Sequence, residues 1–281
     1  MMTRQERTGL STRRSYLTHE RPLFFAHRGG SLLAPENTLV AFERGAALGA
    51  DALELDIQQS RDGELVVIHD TTVDRTTDGA GPVAGYTLDE LRRLDAGHRF
   101  TPDAGHSFPF RGQGVTIPTL REVFVRFPAQ RVNIDLKQSD EERERRLWAL
   151  IQELGAEDRT LVASGEDHMP ILRFRRISGG RVATSASGQE IRNFVLLCAC
   201  RSTRWLRPAY GALQVPETHR GIRIVSPRFI ATAHRRDLDV HVWTVDDAPT
   251  MRRLLSWGVD GLMSDRPDVL AEVLASFPDR R

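Results

Sequence analysis

The stretch Ala52-Leu53-Glu54-Leu55-Asp56-Ile57-Gln58-Gln59-Ser60-Arg61-Asp62-Gly63-Glu64-Leu65-Val66-Val67-Ile68-His69-Asp70 holds two short β-rich runs on either side of an Asp-Gly turn. Side chains alternate between the two faces of a strand, so Leu53, Leu55 and Ile57 share one face and Glu54 and Asp56 share the other. A buried carboxylate is costly unless it is paired or metal-bound, so a Glu-x-Asp at the end of an interior strand calls for a cation. The turn predicts that Leu65 to Ile68 folds back as a hairpin on the preceding strand, which leaves His69 directly after a strand end.

Outward from this stretch, short apolar runs alternate with longer amphipathic segments. Strands are expected at Leu23 to Ala26, Ala52 to Ile57, Leu65 to Ile68, Val132 to Leu136, Thr160 to Ala163, Arg181 to Thr184, Gly211 to Val215, Val240 to Thr244 and Gly261 to Met263. With the hairpin strand set aside as local, the remainder suits an eight-stranded barrel. Helices are expected at Asn37 to Leu48, Asp140 to Leu154, Glu190 to Cys200, Arg228 to Arg235, Pro249 to Trp257 and Pro267 to Phe277. Such alternation points to βα units around a parallel sheet. Residues 71–116, rich in Gly, Pro, Thr and Asp around a short helical piece at Thr87 to Leu94, break the rhythm and read as an insertion covering a strand end. Residues 1–21 lack periodicity and are expected to be a mobile leader. The barrel is expected over 22–276 and a short tail over 277–281.

A chain of 281 residues with 40% hydrophobic content suffices for one such barrel. Its 39 basic and 38 acidic side chains leave a formal charge of +1, so no global field exists to hold a nucleic acid. Cys198 and Cys200 lie two apart in an expected helix and cannot pair with each other, which excludes a disulfide framework and favours a reducing compartment. No apolar run is long enough for a signal-peptide core or a spanning helix, so a cytoplasmic protein without stable membrane insertion is expected.

The polar residues collect where apolar runs end. Phe24-Phe25-Ala26-His27-Arg28-Gly29-Gly30 carries a strand into a histidine, an arginine able to fork two phosphate oxygens, and glycines that permit close backbone approach to an anion. Asn133-Ile134-Asp135-Leu136-Lys137 repeats the i, i+2 spacing and contains the only lysine of the chain. In so arginine-biased a sequence, that lysine marks a position where a compact ammonium is preferred to a guanidinium fork. Glu54, Asp56 and Asp135 offer hard oxygen ligands for Mg²⁺ or Ca²⁺. His27 and His69 can serve as acid and base near neutral pH, and Arg28 and Lys137 supply positive charge to an oxyanion. Taken singly, each fragment has a bland reading as a solvated edge or a chance His-Arg-Gly; together they suit phosphoryl chemistry.

His27-Arg28-Gly29, Ala34-Pro35-Glu36-Asn37-Thr38, Glu54-x-Asp56, His69-Asp70, Ile117-Pro118-Thr119-Leu120, Asp135-x-Lys137, Val242-Trp243-Thr244-Val245 and Gly258 to Pro267 resemble, in order, the motifs of the glycerophosphodiester phosphodiesterase family. The resemblance covers roughly residues 22 to 276. It implies a TIM (β/α)8 barrel with an inserted segment after the His69 strand, and hydrolysis of glycerophosphodiesters to sn-glycerol 3-phosphate and an alcohol. It also implies His27 and His69 as the acid/base pair, Glu54, Asp56 and Asp135 as ligands of one divalent cation, Mg²⁺ or Ca²⁺, and Arg28 and Lys137 on the phosphate. Position 135 is Asp where the family usually has Glu, a shorter arm that draws the carboxylate back from the metal.

Trp243, at a strand end, is a candidate wall of the glycerol pocket. Asn37 is expected to cap the helix that follows it, with Glu36 stabilising the helix start, or else both take part in the site. His98, His106, His168, His219, His234 and His241 match no motif and are expected at surface or structural positions. Alternative readings are a lysophospholipase D-like enzyme acting on lipid, which would need an apolar collar such as Phe100, Phe108 and Phe110 could give, a non-catalytic phosphate-binding barrel, and a metal-dependent sugar isomerase. The alcohol released and the oligomeric state have no signature in the sequence.

Overall fold

The computed structural model describes residues 15–277 except positions 138, 139, 166, 201, 204 and 205. In chain order its strands are β1 (Leu23–Ala26), β2 (Ala52–Gln59), β3 (Leu65–Val67), β4 (Arg131–Leu136), β5 (Thr160–Ala163), β6 (Ala183–Thr184), β7 (Ala212–Pro216), β8 (Thr218–His219), β9 (Ile222–Arg223), β10 (Asp239–Trp243) and β11 (Gly261–Ser264). The helices are α1 (Leu39–Ala47), α2 (Leu88–Leu91), α3 (Leu120–Arg126), α4 (Glu141–Glu153), α5 (His168–Ile177), α6 (Gly188–Ala199), α7 (Pro227–His234), α8 (Ala248–Trp257) and α9 (Pro267–Ala275).

Parallel pairing runs β6-β5-β4-β2-β1-β11-β10-β7. A parallel bridge between Ser185 and Ala212 joins the two ends, with Ala186 N donating to Ala212 O at 2.8 Å, and this closes the wall. The fold is a TIM (β/α)8 barrel. The hairpin expected from Asp62-Gly63 is present, with β3 antiparallel to β2 and Gln59 opposite Leu65. The small β8–β9 hairpin had no counterpart in the sequence reading.

Two helices were also passed over. Thr119 caps α3 through a capping box with Glu122, and its apolar residues Leu120, Val123 and Phe124 are buried. The β-branched valines and the shortness of α3 hide it from a helical-period search. In α5, Pro170 reads as a breaker, yet it sits in the first turn after the Asp167 cap, where its missing N–H is not needed.

Alternation along the strands sorts the side chains into two sets. Leu53, Leu55 and Ile57 of β2 join Val132, Ile134 and Leu136 of β4 in the layer between strands and helices. Leu23, Phe25, Ala52, Leu161, Ala163, Ala183, Ala212 and Met263 point into the barrel. On that inward set, β2 places Glu54 and Asp56 above Ala52, and β4 places Asn133 and Asp135, so the apolar filling gives way to polar groups toward the C-terminal ends of the strands.

The opposite end is sealed by the chain itself. Tyr16 is fully buried among the inward residues, Leu17 packs beside it, and Arg131 donates to the carbonyls of Tyr16 and Thr18 at 2.9 Å each. The expectation of a mobile leader over 1–21 therefore fails for residues 15–21, whose two apolar side chains have the barrel floor to bury against. Residues 1–14, and 278–281 of the tail, lie outside the described residues.

Residues 71–116 form a small lobe on β3, with Val73, Val83, Leu91, Ala96 and Val115 around Val66 and Ile68. No helix among the described residues is long and apolar enough to cross a membrane.

Candidate active site

Strands β1 and β11 run side by side with Ala26 opposite Ser264, so the residues that follow them, His27 and Asp265, are neighbours at the barrel mouth. His27 Nδ1 lies 2.6 Å from Asp265 Oδ1, and its Nε2 lies 3.8 Å from Glu54 Oε2. Burial pulls the imidazole pKa down, but the carboxylates of Glu54 and Asp265 outweigh it and raise the value to about 9. Glu54 itself is 5% exposed, and burial together with the nearby charges of Asp56 and Asp135 pushes its carboxyl up to about 7 against the pull of His27 and Lys137. The mouth thus holds more negative charge than its own cations balance.

The turn after β1 is tight. Arg28 adopts φ 50°, a left-handed conformation that costs a non-glycine residue on the order of 1–3 kcal/mol. Its backbone N–H is aimed at Glu54 Oε2, 3.0 Å away. Gly29 follows at φ 86°, and a Cβ there would stand 2.6 Å from Ala41 Cβ. The glycine serves the packing of α1 against the turn, in addition to any approach by an anion.

The second histidine is built the same way. His69 Nδ1 lies 2.6 Å from Asp70 Oδ1, and Gln58 donates to the His69 carbonyl at 3.1 Å. Hydrogen bonds from Arg75 hold Asp70 down at about 2. Arg75 also grips both oxygens of Glu36, at 2.7 and 2.8 Å, and Glu36 in turn accepts from Arg28 Nη1 at 3.0 Å. One chain of charged groups therefore runs from Arg28 to His69.

Asp56 and Asp135 are paired in register on β2 and β4. Lys137 Nζ bridges them, 2.6 Å from Asp135 Oδ2 and 2.9 Å from Asp56 Oδ1, and both carboxylates raise its pKa against the effect of burial. Gly165 N donates to the other Asp135 oxygen at 3.2 Å. Trp243, 40% exposed, ends β10 at the same mouth.

The expected cap on α1 is corrected. Thr38 is the cap, accepting from Ala41 N, whereas Asn37 stands at φ 59° with Nδ2 2.9 Å from Asp56 Oδ2 and Oδ1 accepting from Asp56 N at 3.3 Å. A β-hydroxyl one residue later competes for the cap, and the wider Asn amide matches the carboxylate edge of Asp56.

The structure brings His27, Arg28, Glu54, Asp56, Asp135 and Lys137 into one network, with His69 joined to it through Asp70, Arg75 and Glu36. The carboxylates do not converge fully, because Lys137 stands between two of them. Among the described residues, the only His/Cys/Asp/Glu group whose ligand atoms all lie within 4.8 Å of one another is His19, Asp239 and Asp260, at the floor. Two clefts, of about 320 and 350 Å³, also open at the floor.

The profile of the glycerophosphoryl diester phosphodiesterase family matches residues 27–269. A glycerophosphodiester phosphodiesterase of Caldanaerobacter subterraneus subsp. tengcongensis is 36% identical over 259 residues, 90% of this chain and 97% of that protein. The crystal structure of a glycerophosphodiester phosphodiesterase from Agrobacterium tumefaciens superposes with a TM-score of 0.73 at 28% identity, covering 89% of this chain and 99% of that one. A glycerophosphoryl diester phosphodiesterase domain from Mycobacterium tuberculosis gives a TM-score of 0.79 at 23% identity, over 92% and 100%.

The chain belongs to the glycerophosphoryl diester phosphodiesterase family. It is a phosphoric diester hydrolase on a TIM barrel. Sequence reading of this phosphodiesterase missed Asp265 and Arg75. Asp265 lay inside the Gly258 to Pro267 motif and could have been paired with His27 from the position of both at strand ends. Arg75 carries no signal, since it is one arginine among many in an irregular lobe.

Proposed function

We propose that the protein hydrolyses glycerophosphodiesters to sn-glycerol 3-phosphate and an alcohol, with His27 and His69 as the acid/base pair. The observation that carries this reading is the matched bracing of the two histidines. Each is held through Nδ1 by its own aspartate at 2.6 Å, which fixes the ring and leaves Nε2 for proton transfer.

His27, with its pKa raised to about 9, holds its proton at neutral pH and suits the general acid that protonates the departing alcohol. His69 then takes the proton of the attacking glycerol hydroxyl, which displaces the alcohol and closes a cyclic phosphate. In the second half the roles reverse: His27 accepts a proton from water and His69 returns one to the ring oxygen. Arg28 and Lys137 offset the charge on the phosphate oxygens once substrate loosens their ties to Glu36, Asp56 and Asp135. Trp243 walls the glycerol side.

Glu54, Asp56 and Asp135 are hard oxygen donors on neighbouring strands, and Glu54 is buried with excess negative charge around it, so this set fits one divalent cation of the Mg²⁺ or Ca²⁺ kind. When bound, such an ion supplies Lewis-acid polarisation of the phosphoryl oxygen and lowers the pKa of the attacking hydroxyl.

A lysophospholipid substrate is favoured by one observation only, the exposure of Leu32 (53%) and Trp243 near the mouth. Phe100 and Phe110 pack edge to face at 5.3 Å, and Phe108 lies beneath Arg111 at 3.7 Å, so these aromatics are engaged with one another and with the lobe.

The test is release of glycerol 3-phosphate from glycerophosphocholine and glycerophosphoethanolamine by EDTA-treated protein re-supplied with Mg²⁺ or Ca²⁺, beside lysophosphatidylcholine. Metal-restored release that His27→Ala and Glu54→Ala both abolish is expected. Folded protein that releases glycerol 3-phosphate with no metal, or none under any metal, would overturn the reading.

A further inference from the structure

We propose a second metal site on the barrel floor, in which His19, Asp239 and Asp260 hold a zinc-class divalent ion that clasps the N-terminal segment to the barrel. It is remote from the mouth: Asp239 opens β10 and Asp260 immediately precedes β11, at the N-terminal ends of strands whose C-terminal ends carry Trp243 and Asp265.

Three observations converge there. One ligand atom from each of the three residues lies within 4.8 Å of the others. His19 Nε2 is 3.0 Å from Asp239 Oδ2, slightly less than the roughly 3.3 Å edge of a tetrahedron with metal bonds of about 2.0–2.1 Å. An imidazole with two carboxylates suits zinc and its neighbours rather than Mg²⁺ or Ca²⁺.

The second observation is His241, fully buried, whose Nε2 has no partner within hydrogen-bond distance among the described residues and faces Asp239 Oδ2 at 3.7 Å. Gln214 Nε2 lies 3.2 Å from His241 Nδ1, and since an amide nitrogen can only donate, the ring hydrogen sits on Nε2. That N–H points into the cluster at the Asp239 oxygen that His19 also contacts, and at 3.7 Å it is too far for a full hydrogen bond, so the buried donor is left under-satisfied. An ion inserted between His19 and the two aspartates replaces the direct His19–Asp239 bond. The Asp239 carboxylate is then free to bind the ion through one oxygen and accept from His241 through the other, the carboxylate–histidine bracing common behind metal ligands.

The third is access and support. His19, His234 and Asp260 line the floor cleft of about 350 Å³, which leaves a fourth coordination position open to water. His234 Nε2 and Val240 N hold Asp260 Oδ2, each at 2.8 Å, and His19 has a backbone hydrogen bond with Arg21 that orients its ring.

The test is zinc titration of the EDTA-stripped full chain by calorimetry, with millimolar Mg²⁺ present to occupy the mouth, alongside thermal unfolding. Wild type should bind one Zn²⁺ beyond Mg²⁺ and melt higher with it. His19→Gln and Asp239→Asn should each weaken that binding by at least about ten-fold and remove the rise in melting temperature, while His19→Gln retains hydrolytic activity. Should either variant not fold, diethyl pyrocarbonate labelling of wild type gives the same answer, with Zn²⁺ protecting His19 and leaving exposed His106 reactive. Equal zinc affinity and melting shift in wild type and variants, or no protection of His19, would leave a plain His19–Asp239 ion pair and overturn the site.

Discussion

The mouth and the floor of this barrel are made from the same inward-facing strand positions, yet they are solved differently. At the floor, Tyr16 and Leu17 from the chain's own N-terminal segment fill the opening, and the polar groups pair off as His19 with Asp239 and Arg21 with Asp51. At the mouth the inward position is taken by Glu54, buried with its proton affinity raised, and Arg28 is held in a left-handed turn. Crowded carboxylates and a left-handed turn at the mouth, opposite a floor filled by apolar side chains, are what an end given over to chemistry would show.

The widest separation between the two ends should be in rate. His27→Ala is expected to lose roughly 10²- to 10⁴-fold in kcat on glycerophosphocholine, whereas Tyr16→Ala at the floor should leave kcat within about two-fold of wild type by the same assay. The converse holds for stability. Removing the buried Tyr16 ring should cost on the order of 3 kcal/mol in urea unfolding, but Tyr16→Phe should be neutral or slightly stabilising, because its hydroxyl is buried without a partner among the described residues.

Glu54→Gln sharpens the contrast further. A carboxyl whose folded pKa is raised to about 7 destabilises the fold increasingly as pH climbs from its unfolded value toward 7, so in EDTA the amide should raise the melting temperature at pH 8 and much less at pH 4 while abolishing activity. Loss of stability at pH 8 would contradict the excess negative charge assigned to the mouth.

The smallest effect concerns the floor pair. The pKa of His19 is raised, opposed by burial but lifted by Asp239, so its contribution is complete below the unfolded imidazole value and fades as pH rises through the folded one. Asp239 is lowered to about 2, so its contribution is present above the unfolded carboxyl value and fades as pH falls toward 2. The difference in melting temperature between wild type and His19→Gln, measured in EDTA, should therefore be widest at about pH 4 to 6.5 and shrink on either side.

Alternation made most of the barrel legible. A period of two puts Glu54 and Asp56 on one face of a strand and sets Asp135 two residues before the lone Lys137, and the Asp-Gly turn gives the β2–β3 hairpin. What stayed hidden was not periodic. Tyr16 and Leu17 are only two apolar residues in a polar leader, too few for any pattern, and their burial depends on an opening that the other strands create. Arg75 and Asn37 act through partners far away in sequence, and the left-handed backbone of Asn37 answers to Asp56 rather than to the helix it precedes. Local rules left Asn37 between capping the helix and joining the site, and a tertiary contact to Asp56 decides for the site.

The most direct test of the division of labour at the mouth compares a poor leaving group with a good one. Wild type, His27→Ala and His69→Ala would be assayed on glycerophosphocholine and on the p-nitrophenyl ester of glycerol 3-phosphate, whose leaving group needs no protonation. If His27 is the general acid, His27→Ala should be severely slowed on the choline ester and recover most of its rate on the p-nitrophenyl ester, with His69→Ala slow on both. Recovery by His69→Ala instead, or equal losses on both substrates in both variants, would contradict the assignment.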